Sequence, residues 1–181
     1  MALTATIYSF DIRLSDVDRG VYETLAFKAA QHPSETLEYL VTRVLAYCLE
    51  YREGIAFSKG LADPDEPAVA VRDLTGAMQV WIEIGTPSAD RLHRASKATS
   101  RVVVYTHKDP RQLVRQLGGD RIHRRESIEL RAIDRELVDQ LAARLERRMS
   151  FDLSVTDGHL YITTGGETLE GTVEAHALIE S

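Results

Sequence analysis

Met78-Gln79-Val80-Trp81-Ile82-Glu83-Ile84-Gly85, followed by Thr86-Pro87-Ser88, is the stretch from which the fold of this chain can be read. Met78, Val80, Ile82 and Ile84 alternate with Gln79, Trp81 and Glu83, the period of a β-strand with two unlike faces. Glu83 lies between two apolar neighbours, where a carboxylate is costly unless it is paired, hydrogen-bonded or bound to a metal, so it is a candidate site residue. Which of the two faces lies under a helix, one sequence leaves open. Gly85-Thr86-Pro87 breaks the strand, and Ser88 is placed to cap a helix carrying Leu92, Ala95, Ser96 and Thr99 on one stripe. Val102-Val103-Val104 then resumes as apolar strand, and the order strand, helix, strand predicts a parallel crossover.

Upstream, Val69 and Val71 and the turn residues Asp73-Leu74-Thr75-Gly76 make a hairpin with this strand, preceded by an acidic, proline-broken loop over residues 60–67. Leu37, Leu40, Val41, Val44, Leu45 and Cys48 recur at helical spacing, predicting a helix from Pro33 to about Tyr51. At the N-terminus, Tyr8, Phe10, Ile12 and Leu14 alternate as a strand. Leu25, Phe27 and Ala29 alternate after the turn at residues 15–20; a second hairpin strand uses that turn better than the competing helix. Downstream, a short helix over Gln112 to Leu117 closes at Gly118-Gly119, and a strand follows at Ile128 to Arg131. Asp134 caps a helix bearing Leu137, Leu141 and Leu145. From Phe151 to Ala177 the pattern is an antiparallel meander, expected to pack on the N-terminal hairpin. The fold class is α+β (mixed α/β), as one domain over 1–181.

The composition, 44% hydrophobic and 28% charged with both signs interspersed, is that of an ordered globular protein. No apolar run approaches the roughly 20 residues of a bilayer crossing, and the N-terminus lacks the regions of a signal peptide, so no membrane partner and a cytoplasmic location are expected. Cys48 is the single cysteine, which excludes an internal disulfide and a multi-cysteine zinc site; its helical spacing reads as a buried, inert thiol. A formal charge of −6 argues against a constitutive nucleic-acid binder, yet Arg111, Arg115, Arg121, His123, Arg124 and Arg125 form a locally basic stretch that either meets a backbone or is solvated surface. Trp81 reads as a packing anchor, and His32 and His93 as isolated histidines that close hydrogen bonds. There is no Walker loop, dinucleotide fingerprint, nucleophile elbow or His-Glu-x-x-His.

The opening Met1 to Tyr8, His32-Pro33-Ser34-Glu35-Thr36, Asp65-Glu66-Pro67, Trp81-Ile82-Glu83-Ile84-Gly85 with Pro87, and Arg91-Leu92-His93-Arg94-Ala95-Ser96 together resemble the YaeQ family of bacterial proteins over nearly the full chain. The resemblance implies a PD-(D/E)XK nuclease-like fold, a central mixed sheet flanked by helices, with additional antiparallel strands from the N- and C-terminal segments. In such nucleases an acidic cluster binds Mg²⁺ or Mn²⁺, and a lysine two residues after the strand acid helps hold the attacking water. By position, Glu35 is the helix acid, Glu83 the strand acid and Glu66 the nearest loop carboxylate, the three being the implied metal ligands. Two departures stand out: Ala68 follows Pro67 where an acid is usual, and Gly85 stands where the nuclease pattern has lysine. Arg94, with His93 and Lys97 nearby, is the implied replacement for that cation, able to stabilise charge but not to act as a base. Bland readings stand beside these: helix capping for Glu35, a solvated loop acid for Glu66, and for Glu83 an ion pair with Arg91, Arg94 or Lys97. Two function classes are left open, a nuclease-like domain binding a nucleic-acid or protein partner without efficient turnover, and a Mg²⁺/Mn²⁺-dependent nuclease.

Overall fold

The computed structural model describes residues 4–58 and 65–179; residues 60–64 of the acidic loop and the first three residues of the family resemblance lie outside them. The N-terminal alternation forms a hairpin, β1 (Thr6–Asp16) and β2 (Val21–Gln31), in a register that sets Phe10 opposite Phe27 and Ile12 opposite Leu25. Strand therefore wins over helix at residues 21–31, because pairing lets Leu25 and Ala29 reach the core while their neighbours stay outside.

Helix α1 (Leu37–Leu49) starts later than the Pro33 expected from sequence. Residues 32–35 form a turn in which the Glu35 N–H donates to the His32 carbonyl at 2.9 Å, and the Thr36 hydroxyl then accepts from the Tyr39 N–H as the helix cap. A three-residue strand, β3 (Ile55–Phe57), is too short to show any period in the sequence. It is followed by β4 (Val69–Arg72) and β5 (Met78–Ile84), antiparallel to one another. Ser88 caps α2 (Ala89–Ala98), which crosses to β6 (Arg101–Thr106), parallel to β5 as expected. Asp109 caps α3 (Pro110–Leu117), with proline at the first turn, so that helix begins two residues before Gln112. Then come β7 (Glu129–Ile133), α4 (Arg135–Ala143) capped by Asp134, and the meander β8 (Arg148–Thr156), β9 (His159–Thr164) and β10 (Glu167–Ala177).

All ten strands join one sheet in the order β2-β1-β8-β9-β10-β7-β6-β5-β4-β3. The meander meets the N-terminal hairpin edge to edge, not face to face. β8 pairs parallel with β1, Phe151 opposite Ile12, and β10 pairs antiparallel with β7, so the C-terminal strands tie the hairpin to the β3–β7 half.

The sheet curls around α1. Residues 40–46 are all buried, Thr42 and Arg43 included, instead of one stripe. Tyr47 of α1 lies 4.6 Å from Phe27 of β2 and 4.7 Å from Phe57 of β3, and those two rings are 5.5 Å apart, so aromatic side chains bring the sheet's two edge strands together over the helix. Val80, Ile82 and Ile84 of β5 face α1, and Leu137, Val138 and Leu141 of α4 share this core. Trp81 faces the other way, into a second core with Leu92 of α2, Leu113 and Leu117 of α3, and Val102, Val104 and Leu130. The question of which face of β5 lies under a helix is thus answered: both do.

Cys48 is fully enclosed by the first core, and burial pushes its thiol well above the usual range. A thiol reagent such as an aromatic disulfide is expected to leave the native protein unlabelled over minutes and to react at once in denaturant; rapid labelling of folded protein would show the helix to be less enclosed. No helix among the described residues is long and apolar enough to cross a membrane.

Candidate functional site

The parallel strands β5 and β6 end side by side, and beyond their C-terminal ends a cleft of about 560 Å³ opens between the start of α1 and the start of α2. Such a position is where α/β sheets place ligands, because loops diverge there around exposed helix N-termini. Glu35, Tyr39, Glu83, Arg91, His107 and Lys108 line it.

Glu83 is 4% exposed and both its oxygens are occupied. Oε1 accepts from the Trp81 indole N–H at 2.6 Å, and Oε2 accepts from Arg91 Nε at 2.8 Å. Trp81 can do this because it is two residues earlier on the same strand face, and Arg91 because Ser88 starts α2 with its first turn over the end of β5. The Arg91 guanidinium also lies 5.9 Å from the centre of the Trp81 ring and donates through Nη2 to the Glu66 backbone carbonyl at 2.5 Å. Burial pushes the Glu83 carboxyl above the ordinary glutamate range, with Arg91 and then the Trp81 hydrogen bond pulling it back.

Glu35 is paired on the other wall. Its Oε1 accepts from the His32 N–H at 3.2 Å and its Oε2 lies 3.5 Å from Arg43 Nη2, without a hydrogen bond. Arg43 comes from inside α1 and donates to the Ala30 carbonyl at 2.5 Å. Tyr39 lies within the field of both pairs. Its hydroxyl is raised first by burial, with Arg43 and Arg91 opposing and Glu35 and Glu83 reinforcing.

Among the described residues no three His, Cys, Asp or Glu side chains are placed to hold a metal ion. Glu35, Glu66 and Glu83, expected to converge, form no such group among them. Glu35 and Glu83 share the cleft, but each carries an arginine where a cation would sit, and Glu66 contributes a backbone carbonyl to Arg91. This donor set does not fit a hard divalent cation, which needs several free oxygen ligands. Gly85 has φ +88°, a backbone conformation in which lysine is strained, and a Cβ there would lie 3.5 Å from the Tyr39 ring. Ala68 packs against the first core, where an acid would be left among apolar side chains.

Arg94 and Lys97 are exposed on α2 and do not line the cleft; Arg91 supplies the cation at Glu83, and Lys108 stands exposed at the rim. Sequence reading passed over Arg43, Tyr39 and Lys108. The one available signal was Arg43, a charge inside an otherwise apolar helical run. His32 and His93 both make local hydrogen bonds, His32 with Ser34 and His93 by accepting the His123 N–H at 3.0 Å. Of the basic stretch, Arg124 donates to the Ser96 and Thr99 carbonyls and Arg125 to those of Leu178 and Asp120, so these two brace loops.

The family model described as YaeQ protein matches residues 1–173. The YaeQ protein of Escherichia coli (strain K12) is 28% identical over 176 residues, covering 97% of each chain. The crystal structure of YaeQ from Pseudomonas syringae superposes with a TM-score of 0.84 at 32% identity, covering 94% of this chain and 95% of that one. That of YaeQ from Xanthomonas axonopodis pv. citri superposes with a TM-score of 0.85 at 30% identity, covering 95% and 98%. With a family match over residues 1–173 and a fold shared with these structures over more than nine-tenths of the chain, this chain belongs to the YaeQ family.

Proposed function

We propose that this protein is a PD-(D/E)XK-like domain that binds a macromolecular partner and does not hydrolyse phosphodiesters with a metal. The element order supports the architecture: a helix with an acid at its entrance, a hairpin with a second acid on its latter strand, then a crossover helix and a parallel strand. The observation that carries the reading is the closed shell of Glu83, whose two oxygens are held by an indole N–H and a guanidinium. A divalent cation entering there has to displace Arg91 and leave a buried carboxylate without its partner until the metal is seated. The cleft is lined by Glu35 and Glu83, each already paired with an arginine, and by Lys108 and the hydroxyls of Ser34, Tyr39 and Ser88, a set whose unpaired charge is that of Lys108 and which takes an anion more readily than a cation.

Calorimetric titration with Mg²⁺ or Mn²⁺ tests this. The expected result is no binding heat and no metal-dependent cleavage of plasmid or RNA by the native protein. Stoichiometric metal binding that Glu83→Gln abolishes, or cleavage lost with the same change, would overturn it and restore the metal-dependent nuclease.

A further inference from the structure

Charge in this chain is segregated. Residues 88–127 carry ten Lys and Arg against four Asp and Glu, a net +6 in a chain of −6, so the remainder carries −12. The fold puts that segment on one side. α2, α3 and the loop leading to β7 pack together over the second core, and Arg124 ties the loop to the end of α2 through the Ser96 and Thr99 carbonyls.

Arg94, Lys97, Lys108, Arg111, Arg115 and Arg121 are all exposed there, and none takes part in an ion pair among the described residues. At the centre, His93 and His123 lie with rings 6.3 Å apart. The His93 imidazole is held below its usual range, first by desolvation and then by Lys97, Arg121 and His123, with Asp90 as the one opposing charge. Gathering cations without counter-ions is unfavourable in the free protein and is relieved by a polyanion.

We propose that the α2–α3 face is a docking surface for duplex nucleic acid, contacted through its phosphates and without base readout. The proposal rests on the partner-binding reading above and supplies its partner. Three observations favour it. None of the six cations has an ion-pair partner among the described residues, and four of the six are arginine, whose guanidinium matches phosphate oxygens. Of the large exposed apolar side chains, Ile7, Val17, Tyr22, Leu74, Tyr161 and Ile179, only Ile179 borders the face, beside Arg111 and Arg115, and a single apolar side chain is too little to anchor a lipid surface or a protein hot spot. Residues 88–127 hold no exposed Phe, Tyr or Trp to stack unpaired bases, and the rings at the surface are the two imidazoles, which favours a duplex over a single strand. The face continues into the cleft through Arg91 and Lys108.

Fluorescence anisotropy with a labelled 20-base-pair duplex of arbitrary sequence, from 50 to 200 mM salt, reads the surface. Binding is expected at low salt, with log K falling against log salt at a slope of about −4 to −5 if most of the six cations meet phosphates. Arg94→Glu/Lys97→Glu/Arg121→Glu is expected to weaken binding at least about tenfold. Lys28→Glu/Arg52→Glu/Arg148→Glu makes the same change in net charge at exposed positions elsewhere and is expected to weaken it less than about threefold. No binding at 50 mM salt, equal loss in the two triple variants, or binding to phosphatidylserine vesicles in place of the duplex would overturn the proposal. Duplex bound on this face and then cut in Mg²⁺ would sink the non-hydrolytic reading while leaving the surface in place.

Discussion

Arg91→Ala is expected to destabilise the native fold by about 3 to 5 kcal/mol, read as a fall in the urea midpoint at unchanged slope. The reason is asymmetry. Glu83 stays buried whether or not its partner is present, and the guanidinium removed is itself only a quarter exposed, so solvent does not rush in to replace it. The same change frees the Glu66 carbonyl and with it the approach to β4. Glu83→Gln is expected to cost far less, about 1 kcal/mol, because the neutral amide keeps an acceptor for Trp81 or Arg91 and removes the charge that burial disfavours. A loss in Glu83→Gln equal to that in Arg91→Ala would show that the pair is held by its mutual attraction, not that the arginine serves a carboxylate burial has stranded.

The pH dependence follows in sign. A carboxyl raised in the folded state contributes stability that is complete below its unfolded value, near 4.5, and is lost as pH rises through the folded value. The gap in stability between native protein and Glu83→Gln should therefore change above pH 4.5 and be flat below it. Titrating both by urea at several pH values measures this.

Arg101→Ala is expected to be as damaging, again by about 3 to 5 kcal/mol, at the opposite end of α1. Glu50 caps that helix, is 2% exposed, and is held by Arg101 at 2.8 Å and by the Tyr105 hydroxyl, which donates to it at 2.7 Å. Arg101 also reaches Glu129 at 2.8 Å, so one side chain on β6 joins the helix terminus to β7. Its removal strands a buried carboxylate beneath the last turn of the helix on which the sheet is wound. Burial and then the charge of Glu50 raise the Tyr105 hydroxyl well above its usual range, so the tyrosine stays protonated and keeps donating. Glu50→Gln in the Arg101→Ala background should recover part of the loss, since the stranded charge is then gone; no recovery would assign the effect to lost packing of the arginine stem.

Elements whose residues repeat at period two or 3.6 were legible. The N-terminal hairpin, the β4–β5 hairpin, the α2 crossover and the C-terminal meander follow from alternation, from Ser88 and Asp134 as caps, and from the turns at residues 73–76 and 157–158. β3 was not, because three residues have no period. The site was half legible. Glu83 was marked by its apolar neighbours and Arg91 was among its candidate partners. Arg43 escaped notice because it reaches Glu35 only after α1 has been enclosed, and the carry-over of Glu66, Arg94 and Lys97 assumed side-chain directions that spacing does not encode.

Local pattern by itself determined which segments are strands and helices, that β5 has an acid among apolar residues, and that Cys48 is a core thiol. Only the tertiary structure decided that β8 lies parallel to β1, that both faces of β5 are covered, and that arginines stand where a metal was expected. The physical reason is range. Periodicity and capping act over a few neighbouring residues, whereas a buried carboxylate takes its partner from whichever chain segment the curled sheet brings within about 3 Å, and that choice is made by packing across the whole molecule.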